Sequence, residues 1–344
     1  MIIAVILTVL LAAVGLKIHS IRVRSALKNS GQRDLPNQFQ SEIDIQKIYL
    51  KNDRPENFRK PTGRKLRILS WNIERGYHPD ALAAFILELD PDIICLQEID
   101  WGNRRTGSLD VMAYLAEKTA MTGYFSTEFV EIDTPMRSER LAGGGVHGNG
   151  ILTRIQLQRC YRMEMPQFYD WESPPVSVIL QPYAEKRIGK RFAMGADFQI
   201  DGIPLTICCA HLENAGGGVA GRFKQFQVLA EKIEESAPGN GVAIIAGDFN
   251  TLDNWQSRLT GYTNAAEASG KPWHVPECRW WADKLLPETG FKDPFSCTDW
   301  TLKRGGFYRE KLDWVTVKGC EITDQGMGDF NTSDHRPIWA DIQL

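Results

Sequence analysis

Apolar residues along this chain fall into short continuous runs that end on polar side chains. "LRILSWNI" at 66–73 reads as a strand, "PDALAAFILEL" places Leu82, Phe85, Ile86 and Leu89 at helical spacing, and "DIICLQE" is a short buried strand. The domain therefore opens strand, helix, strand. The same reading predicts strands over 124–130, 150–153, 156–163, 192–200 and 205–212, then a helix over 219–235 with Phe223, Phe226, Val228 and Leu229 apolar. The buried run "VAIIAGDFN" follows, then "LDWVTVKG", a short strand at 321–323, and a closing strand in which Ile338, Ala340, Ile342 and Leu344 alternate. Strands outnumber helices and many are consecutive. The predicted fold class is α/β, a four-layer α-β-β-α sandwich of two packed mixed sheets with helices outside.

Two stretches read as loops on that scaffold: "RLAGGGVHGNG" at 140–150, and the turn-rich, tryptophan-bearing segment 261–297. Residues 1–16 are apolar and are followed by Lys17, His19, Arg22 and Arg24. No positively charged side chain precedes the run and no small-x-small site follows it, so an uncleaved single-pass membrane anchor is expected over a cleaved signal peptide. The basic flank places the catalytic domain on the cytoplasmic side. The expected organisation is an anchor over 1–24, a polar tether over 25–65 and one catalytic domain over 66–344.

Composition changes this picture little. A net charge of -3 and a pI near 6.1 give no overall basic field for nucleic acid, although a local groove needs no basic total. The seven cysteines lack metal-ligand spacing, and Cys95, Cys208 and Cys209 lie inside apolar runs. Buried free thiols in a reducing compartment are the expectation.

Candidate chemistry sits at the strand ends. Asn72 follows "LRILSW", Glu98 follows "DIICLQ", His211 follows "LTICCA", and Asp248 and Asn250 follow "VAIIAG"; Asp313 opens "DWVTV", and Asp334 and His335 precede the last strand. In a layered sheet these groups can converge on one edge. Converging carboxylates repel and are costly to desolvate, and a divalent cation is the usual remedy. Few hard oxygen donors and no Cys or His cluster suit Mg²⁺, with Mn²⁺ as a substitute, better than zinc.

The pieces "LSWNIERG", "ICLQEID", "GNGILTR", "CAHLEN", "IIAGDFNT", "KLDWVTV" and "TSDHRP", in this order from residue 66 onward, resemble the deoxyribonuclease I-like endonuclease/exonuclease/phosphatase superfamily. The resemblance implies that Glu98 is the main metal ligand with Asn72 and Asp334 beside it. It implies that Asp248 orients or deprotonates the attacking water, that Asn250 holds that water or a phosphate oxygen, and that His335, paired with Asp313, contacts the scissile phosphate. His211 would be a second phosphate-facing imidazole and a general-acid candidate, and Asn149 a substrate-pocket residue.

Other residues carry two readings each. Arg104 and Arg105 either clamp phosphate or form an exposed charged turn; His147 either meets substrate or is solvated. Trp280, Trp281 and Trp300 line a cleft, dip into lipid, or pack. His78 reads as a helix-start residue and His274 as a loop residue. The expected activity is metal-assisted in-line hydrolysis of a phosphoester, membrane-tethered, on a phospholipid headgroup or small phosphodiester. A nuclease acting on DNA or RNA is the alternative, and a noncatalytic binding module on the same fold a third reading.

Overall fold

The computed structural model describes residues 43–54, 56, 58, 64–133, 137–172, 187–214, 217–236, 241–252, 276–304 and 308–344. Its strands in chain order are β1 (Ile48–Lys51), β2 (Lys65–Arg75), β3 (Ile93–Trp101), β4 (Thr122–Glu131), β5 (Val146–Thr153), β6 (Arg159–Glu164), β7 (Arg187–Gly189), β8 (Phe192–Ile200), β9 (Ile203–His211), β10 (Val242–Asp248), β11 (Leu302–Arg304), β12 (Tyr308–Glu310), β13 (Asp313–Lys318), β14 (Glu321–Met327) and β15 (Ile338–Gln343). The main helices are α1 (Pro79–Leu89), α2 (Val111–Lys118) and α3 (Gly218–Ser236).

One sheet runs β1-β4-β5-β3-β2-β15-β14 with β7 beside β4, and the second runs β13-β10-β9-β8-β6. Each contains one parallel pair closed by a helical crossover: β2-α1-β3 in the first, β9-α3-β10 in the second. Parallel strands need such a crossover, and helices on the outer faces leave both strand faces buried. That is why these runs are continuously apolar.

Alternation sorts neighbouring side chains between layers. Ile68, Cys95, Cys209 and Ile244 meet in the core between the sheets. Leu69, Trp71 and Ile94 point the other way, onto Leu82 and Ile86 of α1 and Leu115 of α2. Cys208 and Ile245 pack outward onto Phe226 and Leu229 of α3. Each such fully buried aliphatic or aromatic side chain contributes about 1.5–3 kcal/mol. The four-layer sandwich is thus present as expected.

Several local expectations are corrected. The folded unit begins upstream of 66, because β1 pairs antiparallel with β4 and Lys51 reaches Asp110 at 2.6 Å. The second half of the glycine-rich stretch, 146–150, is strand β5 rather than loop. A Cβ on Gly148 would sit 2.0 Å from the Ser126 carbonyl oxygen, so glycine there permits a close strand approach. The expected loop over 261–297 is helical through Glu277–Trp280, the π-helical Trp281–Leu285 and Leu286–Thr289. Trp280 and Trp281 are buried packing against α3, and Trp300 stacks on Phe330 with ring centroids 5.4 Å apart.

The thiol expectation holds for Cys95, Cys208 and Cys209, which are free and buried, but Cys278 and Cys297 form a disulfide. Disulfides persist in oxidising surroundings, so the argument for a reducing compartment falls away. The expected anchor over 1–24, most of the tether and His274 lie outside the described residues. Among the described residues no helix is long and apolar enough to cross a membrane.

The bridge closes a chain segment of separation 19, for which restriction of the unfolded chain gives roughly 3 kcal/mol. Replacing both cysteines by serine should lower the melting temperature by roughly 5–10 °C. An unchanged melting curve by calorimetry would show that the bond contributes nothing to the fold.

Candidate active site

The carboxyl ends of the two parallel pairs meet at one edge of the sandwich. In the second sheet, register alone aligns three groups: Asp248 is paired with His211 on one side and with Asp313 on the other. The approach of β9 to β10 depends on Gly247, at φ 150°, where a Cβ would lie 1.8 Å from the Ala210 carbonyl oxygen. β15 enters from the first sheet and brings His335 to the same place, its main-chain oxygen accepting from the Trp71 indole at 3.1 Å.

Asp248 is the hub. One carboxylate oxygen accepts from the Asn72 amide at 3.0 Å, and the other from the Asn250 backbone at 2.9 Å. The same Oδ2 lies 3.5 Å from His211 Nε2 and 3.9 Å from His335 Nε2. Burial first, and then the neighbouring Asp313, push its pKa up to about 7 against the pull of His335 and the Asn72 hydrogen bond.

His335 Nδ1 meets Asp313 Oδ2 at 2.8 Å. Burial opposes its charge, but Asp313 and Asp248 outweigh that and raise the ring to about 10, so it is an imidazolium at neutral pH. His211 is the opposite case: burial, joined by the Arg191 charge, holds its pKa well below the usual value. Two imidazoles therefore line the cavity in contrasting states, His335 favouring its charged form and His211 its neutral one.

Glu98 reaches this edge through irregular backbone. Pairing slips between Asn72 and Arg75 and again between Leu96 and Ile99, and Glu98 itself stands at φ 58°. Bulges re-aim a side chain in this way beside active sites. Burial works against its charge, yet Arg75, 3.4 Å away, with His147, His211 and Arg187, holds its pKa well below the ordinary range. Glu98 is therefore an anion.

The donor set of Glu98, Asn72 and Asp334 fits a hard divalent cation, being all oxygen. Asn72 Oδ1 accepts from the Glu74 backbone and keeps a second lone pair; Asp334 Oδ1 lies 3.9 Å from His335 Nε2. Asp248, Asp313 and His335 form a tighter cluster, their atoms within 4.8 Å. The Nδ1 contact with Asp313 fixes the His335 ring with Nε2 facing Asp248 at 3.9 Å, so this cluster is a second acidic site at the same edge.

Glu98, His211, Asp248, Asn250 and His335 together line a cavity of about 530 Å³. The sequence reading missed the rest of the lining: Asn214, Leu252, Leu302, Arg304, Tyr308 and Leu312. The alternating "LKRGGFYRE", with a Gly-Gly turn between strand-like halves, was the available signal.

Three expected contacts fall elsewhere. The Arg105 side chain is 0% exposed, salt-bridged to Asp100 at 2.6 Å and Glu131 at 3.2 Å, so it is a buried structural cation and not a phosphate clamp. His147 is buried against Asp100 at 2.9 Å, neither solvated nor lining the cavity. Asn149 is buried in β5, its amide donating to the Phe192 carbonyl at 3.3 Å, and is not among the residues lining this cavity.

A family model described as Endonuclease/Exonuclease/phosphatase family matches residues 69–335. Tyrosyl-DNA phosphodiesterase 2 of Bos taurus is 35% identical over 79 residues, which is 22% of this chain and 21% of that protein. The matched part thus spans about a fifth of that relative. The endonuclease/exonuclease/phosphatase family protein from Leptotrichia buccalis superposes with a TM-score of 0.55 at 16% identity, over 81% of this chain and 100% of that one. The endonuclease/exonuclease/phosphatase from Beutenbergia cavernae gives 0.54 at 18% identity, over 82% and 72%. At such identities the structures speak to fold.

Replacing Asp313 by Asn removes the carboxylate that keeps His335 charged. The His335 ring then loses its proton at lower pH, so the alkaline limb of kcat/KM should move down from about 10, with a fall of about 10²-fold or more at neutral pH. A pH profile of the same shape in the variant would separate Asp313 from the ionisation of His335.

Proposed function

The chain belongs to the endonuclease/exonuclease/phosphatase family, and from that premise we propose that it is a metal-dependent phosphoric ester hydrolase that cleaves phosphodiester bonds of nucleic acid with Mg²⁺. The observation that carries this reading is the Asp313-His335-Asp248 constellation opening into the cavity that holds anionic Glu98.

Glu98, Asn72 and Asp334 would hold the cation, which supplies electrostatic stabilisation of the phosphoryl oxygens. Asp248, as carboxylate, orients the attacking water and takes its proton. Asn250, held by its amide to the Leu212 carbonyl at 2.9 Å, offers a fixed polar contact beside that water. His335 places a positive N–H against a phosphoryl oxygen and is the proton source for the leaving oxygen, with Asp313 fixing its orientation.

The partial match to a tyrosyl-DNA phosphodiesterase favours a nucleic-acid substrate over the lipid headgroup. The lipid expectation rested on the apolar run 1–16, the lack of a basic total charge and the lack of an arginine-rich arm, none of which describes the cavity. Tethering remains a separate proposal: full-length protein should stay with membranes through alkaline carbonate extraction, and release into the supernatant would refute it.

A soluble protein beginning near residue 43 should nick supercoiled plasmid with Mg²⁺ and stop in EDTA. His335→Ala should cut the rate at least about 10²-fold, and Glu98→Gln should weaken Mg²⁺ binding by calorimetry. Absence of Mg²⁺-dependent cleavage by the unmodified protein of both supercoiled plasmid and single-stranded oligonucleotide would eliminate the nucleic-acid reading.

A further inference from the structure

Part of the cavity lining beside the catalytic groups is a β-hairpin hung from them. β11 and β12 pair through Leu302 with Glu310, Lys303 with Arg309 and Arg304 with Tyr308. Paired residues of an antiparallel ladder share a face, and residues two apart return to it. Leu302, Arg304 and Tyr308 accordingly all line the cavity, and the opposite face sends Arg309 over the Trp300 ring at 4.3 Å.

The base of the hairpin is fastened to catalytic positions on both sides. Thr301 Oγ1 accepts from the backbones of Leu312 and Asp313 at 3.0 Å each, and the Thr301 carbonyl accepts from Arg336 at 2.8 Å. Leu302 bridges to His335, and the Lys303 backbone donates to the Asp334 carbonyl at 3.3 Å. The hairpin face therefore stands at a fixed position relative to His335 and Asp313.

The parts of this lining differ in chemistry. Glu98, His211, Asp248, Asn250 and His335 deal with charge and protons. Leu252, Leu302, Leu312 and the Tyr308 ring have nothing to offer a phosphoryl group; they suit an organic substituent one or two bonds from the phosphorus. Tyr308 supplies an aromatic ring, and its register partner Arg304, with its side chain 68% exposed and bonded to Asp334 at 2.9 Å, supplies a guanidinium to the same lining. A flat aromatic ring gains most from this combination, through stacking and cation-π contact.

Resting on the nucleic-acid reading above, we propose that the β11-β12 hairpin is a stacking subsite for the unpaired nucleobase next to the scissile phosphate, with Tyr308 as its platform. A base reaches such a subsite only when it is out of a double helix. The substrate class is then single-stranded nucleic acid, or an unpaired end. Tyr308 and Arg304 determine specificity and take no part in bond breaking.

The test compares two strands with identical phosphodiesters: a thymidine hexamer, and a hexamer with tetrahydrofuran residues in place of every nucleoside. With Mg²⁺, the unmodified protein should cleave the thymidine strand with a kcat/KM about 10-fold higher or more, mainly through KM. Tyr308→Ala should remove most of that advantage by raising KM for the thymidine strand, and Tyr308→Phe should keep it. Equal cleavage of both strands by the unmodified protein overturns the subsite while leaving the nuclease reading intact. A Tyr308→Ala loss shared by both strands, or confined to kcat, overturns it as well, because a merely structural role would act so. If neither strand is cut, the subsite is overturned, and if plasmid is not nicked either while bis(p-nitrophenyl) phosphate is hydrolysed, the nucleic-acid premise fails with it.

Discussion

The Asn72 amide, on the first sheet, donates to the Asp248 carboxylate on the second, and the geometry of the catalytic edge follows from that contact. Asp248 and Asp313 are register partners and both are buried, an arrangement that two carboxylates do not tolerate unaided. The remedy comes from the other sheet: an amide from β2 and an imidazolium just before β15. Ser333 adds a hydroxyl bond to the Asn72 carbonyl at 2.7 Å, and the Gln97 amide meets Cys209 Sγ at 3.4 Å. The sheets are joined across their shared core by apolar packing, and at one edge by the groups that would handle substrate. A change in how the sheets pack would therefore be felt first as a change in the environment of Asp248.

Two histidines face this one carboxylate in opposite protonation states, and their neighbours explain why. His335 has two buried carboxylates in reach, whereas His211 has Arg191 among its strongest influences. Arg191 is in turn held by Glu128 at 3.0 Å, deep between β4 and β8. Contrasting states result from a single fold: one ring favours its charged form and the other its neutral one. Sequence position does not distinguish them, since each follows or precedes a core strand in the same manner.

That limit marks what could be read from residues alone. Strands and crossover helices were legible because doubly buried parallel pairs force long apolar runs, and the polar residues terminating those runs, Asn72, Glu98, His211 and Asp248, were visible as departures from them. Contacts between distant segments were not. Arg105 follows a motif in a turn rich in polar residues, and nothing local reveals that Asp100 and Glu131 bury it completely. The pairing of Cys278 with Cys297 depends on a helical segment that looked like loop. β5 was hidden by its own glycines, whose role is to admit a neighbouring backbone.

Backbone irregularity concentrates where the chemistry is. Glu98 and Asn250 both occupy the left-handed region, at φ 58° and 53°, as do Glu74 and Arg75 beside the first bulge. Each such residue costs on the order of 1 kcal/mol or more unless the surroundings impose it. Here they do: Ile73 and Ile99 are buried in the core within or just beyond the slipped pairings, and Phe249 is buried just before Asn250, so packing holds the irregular backbone in place. A regular β3 would keep Glu98 in the alternation of its strand. The slipped pairing breaks that alternation and turns the carboxylate toward Asp248 and His335, so the site exists because the sheet stops being regular at its edge.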